Sequence, residues 1–92
     1  MTVFAVQVIF DRDEDARLAV RPQHRAYLHE LATAGQLRLA GPFADGDGAL
    51  LVYDVADRTE LDEILAKDPY FASGDPVASI ASVRQWDLLP FE

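Results

Sequence analysis

Residues 3–10 constrain this chain more than any other stretch of it. The segment is dense in β-branched and aromatic residues and reads as a strand. Phe4, Val6, Val8 and Phe10 share one face, while Val3, Ala5 and Ile9 share the other with Gln7. A strand that is apolar on both faces is expected to be covered on both sides. The chain has 92 residues, which suits one domain, 1–92, and leaves no room for a second. A core of that size forms without metal or disulfide staples, by a modest margin.

The rest of the chain supplies partners for this strand. The acidic run 11–15 reads as a loop, and residues 17–20 as a first helical turn. Pro22 either opens the main helix at its first position or kinks it, because proline lacks the N–H that a helix interior uses. His24, Tyr27, Leu28 and Leu31 then repeat at the spacing of one helix face, and Gly35 is placed to end it. Residues 37–43 and 49–55 read as strands, joined by the turn-forming run Ala44-Asp45-Gly46-Asp47-Gly48. Asp57, with Glu60 three residues later, caps a second helix whose buried stripe is Leu61, Ile64 and Leu65.

Asp68-Pro69 ends that helix, and residues 70–76 read as an irregular connection. Residues 77–89 read as the last strand, with Ile80, Trp86 and Leu88 on one face and Ala81 and Val83 on the other. The order β-α-β-β-α-β predicts an α+β, ferredoxin-like domain. It is a four-stranded antiparallel sheet with both helices on one face, given right-handed connections. The opposite face is then open and apolar, and exposed surface of that kind is usually an interface. A homodimer packed sheet against sheet is the expectation.

Composition narrows the function. Sixteen acidic against eight basic residues give a formal net charge of −8, and Lys67 is the single lysine. That balance disfavours nucleic acid, whose phosphates need basic side chains, and anionic membrane surfaces for the same reason. Cysteine is absent, which removes disulfides, thiol catalysis and thiolate metal sites. The apolar start is too short for a signal peptide and lacks its basic head, so a soluble cytoplasmic protein is expected.

Most motif matches fail on their own terms. Asp11-x-Asp13-x-Asp15 opens like a calcium loop, but Ala16 and Pro22 occupy the places that need glycine and a carboxylate. Gly41 and Gly46 have phosphate-loop spacing, but Asp47 stands where lysine is required. His24 and His29 are five apart and point in different directions on a helix, so no metal site is expected. Ser73, Ser79 and Ser82 have no nucleophile-elbow context. No cofactor loop is visible.

Two features survive: Arg21-Pro-Gln-His24 at the start of the main helix, and Asp68-Pro69-Tyr70 after the second. An imidazole near a helix N-terminus is pushed towards its neutral form, which suits a general base. A carboxylate within reach would fix its tautomer and stabilise its protonated form. The structural readings stand beside this. His24 also suits a partly buried, hydrogen-bonded core position, and Asp68 followed by Pro is a strong helix N-cap.

The succession Arg21-x-x-His24, Leu28, Leu31, Gly35, Leu37, Ala40-Gly41-Pro42, a glycine turn and Asp68-Pro69-Tyr70 resembles the YciI-like (YCII-related) family. The resemblance spans nearly the whole chain and extends to Trp86; it is carried by the combination, not by one motif. It implies a ferredoxin-like fold, a dimeric α+β barrel, and a His and an Asp acting as a catalytic pair, here His24 and Asp68. It also implies that Arg21 holds an anionic group of a substrate. Pro22 inside the Arg-x-x-His segment departs from the family pattern and puts the aim of His24 in question.

The expectation is a small dimeric enzyme doing acid/base elimination or isomerisation on a small, aromatic-derived molecule, of the dehydrochlorinase or lactone-isomerase kind. Its pocket lies between the first helix and the sheet, with Arg21, Tyr27 and Tyr70 as substrate-binding residues and Phe43, Phe71 or Trp86 as further aromatic lining. Two rivals remain: a non-catalytic ligand-binding or interaction module of the same fold, and a purely structural dimer with a filled cleft.

Overall fold

The structure is a computed structural model that describes every residue except Arg12, Ser73, Gly74 and Glu92. Readings that rest on Arg12 and Ser73 therefore lie outside the described residues. The elements are β1 (Thr2–Phe10), α1 (Glu14–Thr33), β2 (Leu37–Pro42), β3 (Gly48–Val55), α2 (Arg58–Lys67), α3 (Pro69–Ala72) and β4 (Ala78–Gln85). The sheet order is β2-β3-β1-β4, with every neighbouring pair antiparallel. This is the ferredoxin-like α+β arrangement. One short helix, α3, stands where an irregular connection was expected.

β1 is central, as its apolar character requires. Phe4, Val6 and Val8 pack with Leu51, Tyr53 and Val55 of β3 and with Leu31, Leu61, Ile64 and Leu65 from α1 and α2. These residues share one sheet face because antiparallel partners in register point the same way. On the other face Val52 of β3, opposite Ala5, is only 3% exposed. Val3 and Ala5 are half-buried there, and Gln7 and Ile9 are exposed.

Local chemistry explains the helix ends. Asp13 caps α1 by accepting from the Ala16 N–H at 3.0 Å. Gly35 ends it at φ +80, a backbone state that side chains rarely adopt, and the Gln36 N–H closes back on the Leu31 carbonyl at 2.9 Å. Asp57 caps α2 through the Glu60 N–H, while the Glu60 carboxylate reaches back to the Ala56 N–H at 3.0 Å. Asp13, not Pro22, starts α1, and the helix runs unbroken through Pro22. Proline removes one N–H from the ladder, and the nineteen other helical residues keep the element whole. Residues 17–20 are thus helix interior and not a separate turn.

Two register shifts correct the expected strand faces. One lies in β2 between Leu37 and Leu39; the other lies opposite Gln7 and Val8, between Ile80 and Ser82 of β4. The second moves Ile80 and Val83 onto the same face, opposite Val8 and Val6, although simple alternation separates them. β4 also stops at Gln85, leaving Trp86 and Leu88 outside it. The Trp86 N–H still donates to the Val3 carbonyl at 2.8 Å. Among the described residues, no helix is long and apolar enough to cross a membrane.

Candidate functional site

His24 sits midway along α1 on its core-facing side, not near the helix N-terminus as expected, and is 9% exposed; Asp68 is fully buried at the α2–α3 junction. His24 Nδ1 and Asp68 Oδ1 are 2.7 Å apart. A carboxylate only accepts, so the shared hydrogen belongs to Nδ1, and Nε2 is the ring nitrogen left for anything else. The same Oδ1 accepts the Tyr70 N–H at 2.9 Å, and the Asp68 carbonyl takes the N–H groups of Phe71 and Ala72. Asp68 therefore caps α3 and contacts His24 through one oxygen. The cap read from the sequence and a contact with His24 are thus made by the same side chain. Among the described residues, Asp68 Oδ2 is buried with no hydrogen-bond partner, as is the hydroxyl of Tyr53 on β3.

Aromatic side chains hold the imidazole. The Tyr70 ring stacks on it at 3.7 Å with a 6° interplanar angle, and Phe10 meets Tyr70 edge-on at 6.2 Å. Burial pushes the Tyr70 phenol above the ordinary value, while Arg17, Arg21 and Arg25 pull it back down. Tyr27 is also raised, by burial first and then by Asp68 and Glu30. Burial pushes Tyr53 far above the usual range, reinforced by Asp68.

Beside His24 lies a cavity of about 260 Å³ between α1 and the sheet. Its floor is Val8, Ala49 and Leu51, one wall is α1, and Tyr70 and Phe71 close another side. Of the residues singled out in the sequence, His24, Arg21, Tyr70 and Phe71 line it, with Asp68 behind His24. Tyr27 does not; its hydroxyl donates to the Ile64 carbonyl at 2.7 Å and ties α1 to α2. Phe43 lines a separate depression at the hairpin, and Trp86 is 46% exposed and away from both. Arg17, Arg25, Phe10 and His29 line the cavity and were not anticipated. The signal for the arginines was in plain view, since Arg17, Arg21 and Arg25 are four apart. It becomes one helix face only because α1 starts before Pro22. Among the described residues, no three His, Asp or Glu side chains cluster as a metal would need.

The YCII-related domain matches residues 2–87. The chain belongs to the YCII-related family. In this YCII-related chain the departure at Pro22 does not turn His24 aside, because the helix carries it onto Asp68 regardless. No curated protein matches the sequence. Among solved structures, the YCII-related chain is similar to 5-chloro-2-hydroxyhydroquinone dehydrochlorinase (TftG) from Burkholderia phenoliruptrix AC1100, in complex with 2,5-dihydroxybenzoquinone. The two share 21% identity and a TM-score of 0.72 over 92% of this chain and 93% of that one. At that identity the likeness is one of fold.

Proposed function

We propose that this YCII-related chain is a small acid/base catalyst acting on a single-ring, aromatic-derived metabolite. The observation that carries the reading is the 2.7 Å contact between His24 Nδ1 and Asp68 Oδ1 at the wall of a cavity. Asp68 holds the tautomer whose Nε2 lone pair is free to take a proton, and stabilises the imidazolium that results. His24 is the general base and then the acid, Asp68 the positioning residue, and Arg21 and Tyr70 hold the substrate. The chemistry that fits is removal of a proton from an acidic O–H or C–H, followed by loss of a leaving group or by protonation at a new carbon. The dehydrochlorinase of similar fold makes halogenated hydroxyhydroquinones the first compounds to try.

The decisive variant is His24→Asn, whose amide nitrogen keeps a donor towards Asp68 while removing Nε2. Halide release from 5-chloro-2-hydroxyhydroquinone should fall by about 10²–10⁴-fold, the usual contribution of general acid/base assistance. Turnover unchanged in His24→Asn overturns the assignment. The second reading, a ligand-binding module without turnover, draws on the capping role of Asp68, which gives the pair a structural reason to exist. It is favoured if the wild type binds the compound and releases no halide.

The same proposal includes a homodimer joined through the open sheet face. Ile9 and Leu39 are 51% and 66% exposed there, beside Val3, Ala5 and Leu50. Light scattering at micromolar concentration should report twice the chain mass, and Leu39→Glu should reduce it to the monomer. A wild-type monomer sinks this part.

A further inference from the structure

The basic side chains of this acidic chain are not evenly spread. Of its seven arginines, Arg17, Arg21 and Arg25 line the one cavity beside His24, and among the described residues no Asp or Glu lines it. They are four residues apart, so each step advances about 6 Å along α1 and keeps to one side of the helix. A run of arginines on a helix is ordinarily a solvated face. Here three observations separate it from one.

The Arg17 side chain is only 15% exposed, and its guanidinium lies over the Phe10 ring, 4.3 Å from the centroid. Among the described residues its Nε–H is buried with no acceptor, and the Glu14 carboxylate stands 3.9 Å from its Nη2. A buried guanidinium donor without an acceptor is costly, and a ligand oxygen in the cavity would satisfy it. Arg21 and Arg25 have no ion-pair partner among the described residues, whereas Arg38 and Arg58 pair with Asp54 and Asp62. All three guanidinium groups act on the Tyr70 phenol, which places their charge around one point of the wall. That phenol is held in its neutral form by burial and can donate there.

We propose that the cavity takes a planar single-ring organic dianion, its two anionic groups held along α1 by Arg17, Arg21 and Arg25. This rests on reading the cavity as a ligand site and deepens that reading by naming the ligand class. The volume of about 260 Å³ admits one ring and not a drug-sized molecule. Tyr70 and Phe71 add aromatic surface to the lining, while Arg17 lies over the Phe10 ring. A single carboxylate engages two neighbouring arginines and leaves the third unanswered. A second anionic group across the ring reaches it, because the step along the helix is close to the width of a substituted ring. Local positive charge in a chain of net charge −8 also steers such ligands to this mouth and away from the rest of the surface.

The test is binding calorimetry at low salt with terephthalate, benzoate and benzamide, which carry two, one and no charges on the same ring. Terephthalate should bind about tenfold tighter than benzoate or more, and benzamide weakest, since one charge-assisted contact is worth roughly that factor. Arg17→Gln and Arg25→Gln should each cut terephthalate affinity about tenfold and bring it towards benzoate. Benzamide affinity should fall less in both variants than terephthalate affinity does, because its neutral carbonyl makes the weaker contact. Raising salt should erode the preference. Equal affinities across the three, a preference untouched by both substitutions, or no binding of any probe overturns the proposal. The assay is independent of turnover. If terephthalate preference holds while His24→Asn keeps full halide release, the acid/base reading falls and this one stands. The reverse pattern removes this one alone.

Discussion

Asp68 is where structure and chemistry can be separated by two substitutions. Its Oδ1 accepts from His24 Nδ1 at 2.7 Å and from the Tyr70 N–H at 2.9 Å, and the residue is fully buried. Asp68→Ala strands both donors away from water. Each orphaned buried donor costs about 1–3 kcal/mol, so the loss should be about 2–6 kcal/mol. A domain of this length has about 5–14 kcal/mol in total, so the variant should unfold well below the wild type or barely fold. Asp68→Asn keeps an oxygen in the same place and both accepted bonds; it loses their charge assistance and exchanges the buried, unpartnered Oδ2 for an equally unpartnered NH2 group. Its cost should be about 1 kcal/mol, a drop in Tm of about 4–8 °C. Urea denaturation with matched m-values reads both. Halide release should fall in Asp68→Asn nonetheless, because a neutral amide does not stabilise an imidazolium. The account is refuted if Asp68→Ala lies within 1 kcal/mol of wild type, or if the two variants are equally destabilised.

The Tyr53 hydroxyl is buried without a partner among the described residues, so Tyr53→Phe should be neutral or raise stability by about 1–2 kcal/mol in the same urea assay, and a loss above 1 kcal/mol contradicts the assignment. All three tyrosines, Tyr27, Tyr53 and Tyr70, are raised by burial. Their folded-state values lie above the unfolded value of about 10, so the stability linked to their protons is complete below that pH and declines as pH rises beyond it. Tyr53 alone should contribute a slope of about 1.4 kcal/mol per pH unit there. Phenolate absorbance should accordingly appear together with unfolding, and a separate phenolate transition in the folded protein near pH 10 would count against this. Gly48 lies against the Val8 carbonyl, which an added Cβ would meet head-on. Gly48→Ala should therefore destabilise the β1–β3 pairing, and a melting curve equal to wild type would show that the strands part easily.

Much of the fold was legible because its signals are local. The strand character of β1, the Asp57–Glu60 cap, Gly35 and the glycine turn each depend on residues a few positions apart, and each holds in the structure, although Gln7 and Ile9 on the second face of β1 are exposed where cover on both sides is expected. The strand faces of β4 were not legible. The register shift opposite Gln7 and Val8 is set by pairing with β1, and one inserted residue reverses every side chain beyond it. Of the two readings of Pro22, a helix that opens there fails for a related reason, since α1 already starts at Glu14. Proline's penalty is local, while the packing that outweighs it comes from Leu31, Leu28 and His24 against the sheet and α2.

By itself, the sequence determined the order of the four strands and two main helices and the residue types able to do chemistry, with His24, Asp68, Arg21 and Tyr70 among them; the strand order in the sheet came from the tertiary structure. The tertiary structure alone decided which of these meet. His24 and Asp68 are 44 residues apart, and no spacing rule links them; α1 and the α2–α3 junction bring them to 2.7 Å because both pack on the same sheet face. Tyr27 shares the helix stripe of His24 and still misses the cavity, its hydroxyl held by Ile64. Arg17 joins the cavity wall only because α1 begins at Glu14. Periodicity names the face of an element. What that face meets depends on the elements packed against it, and those contacts are non-local.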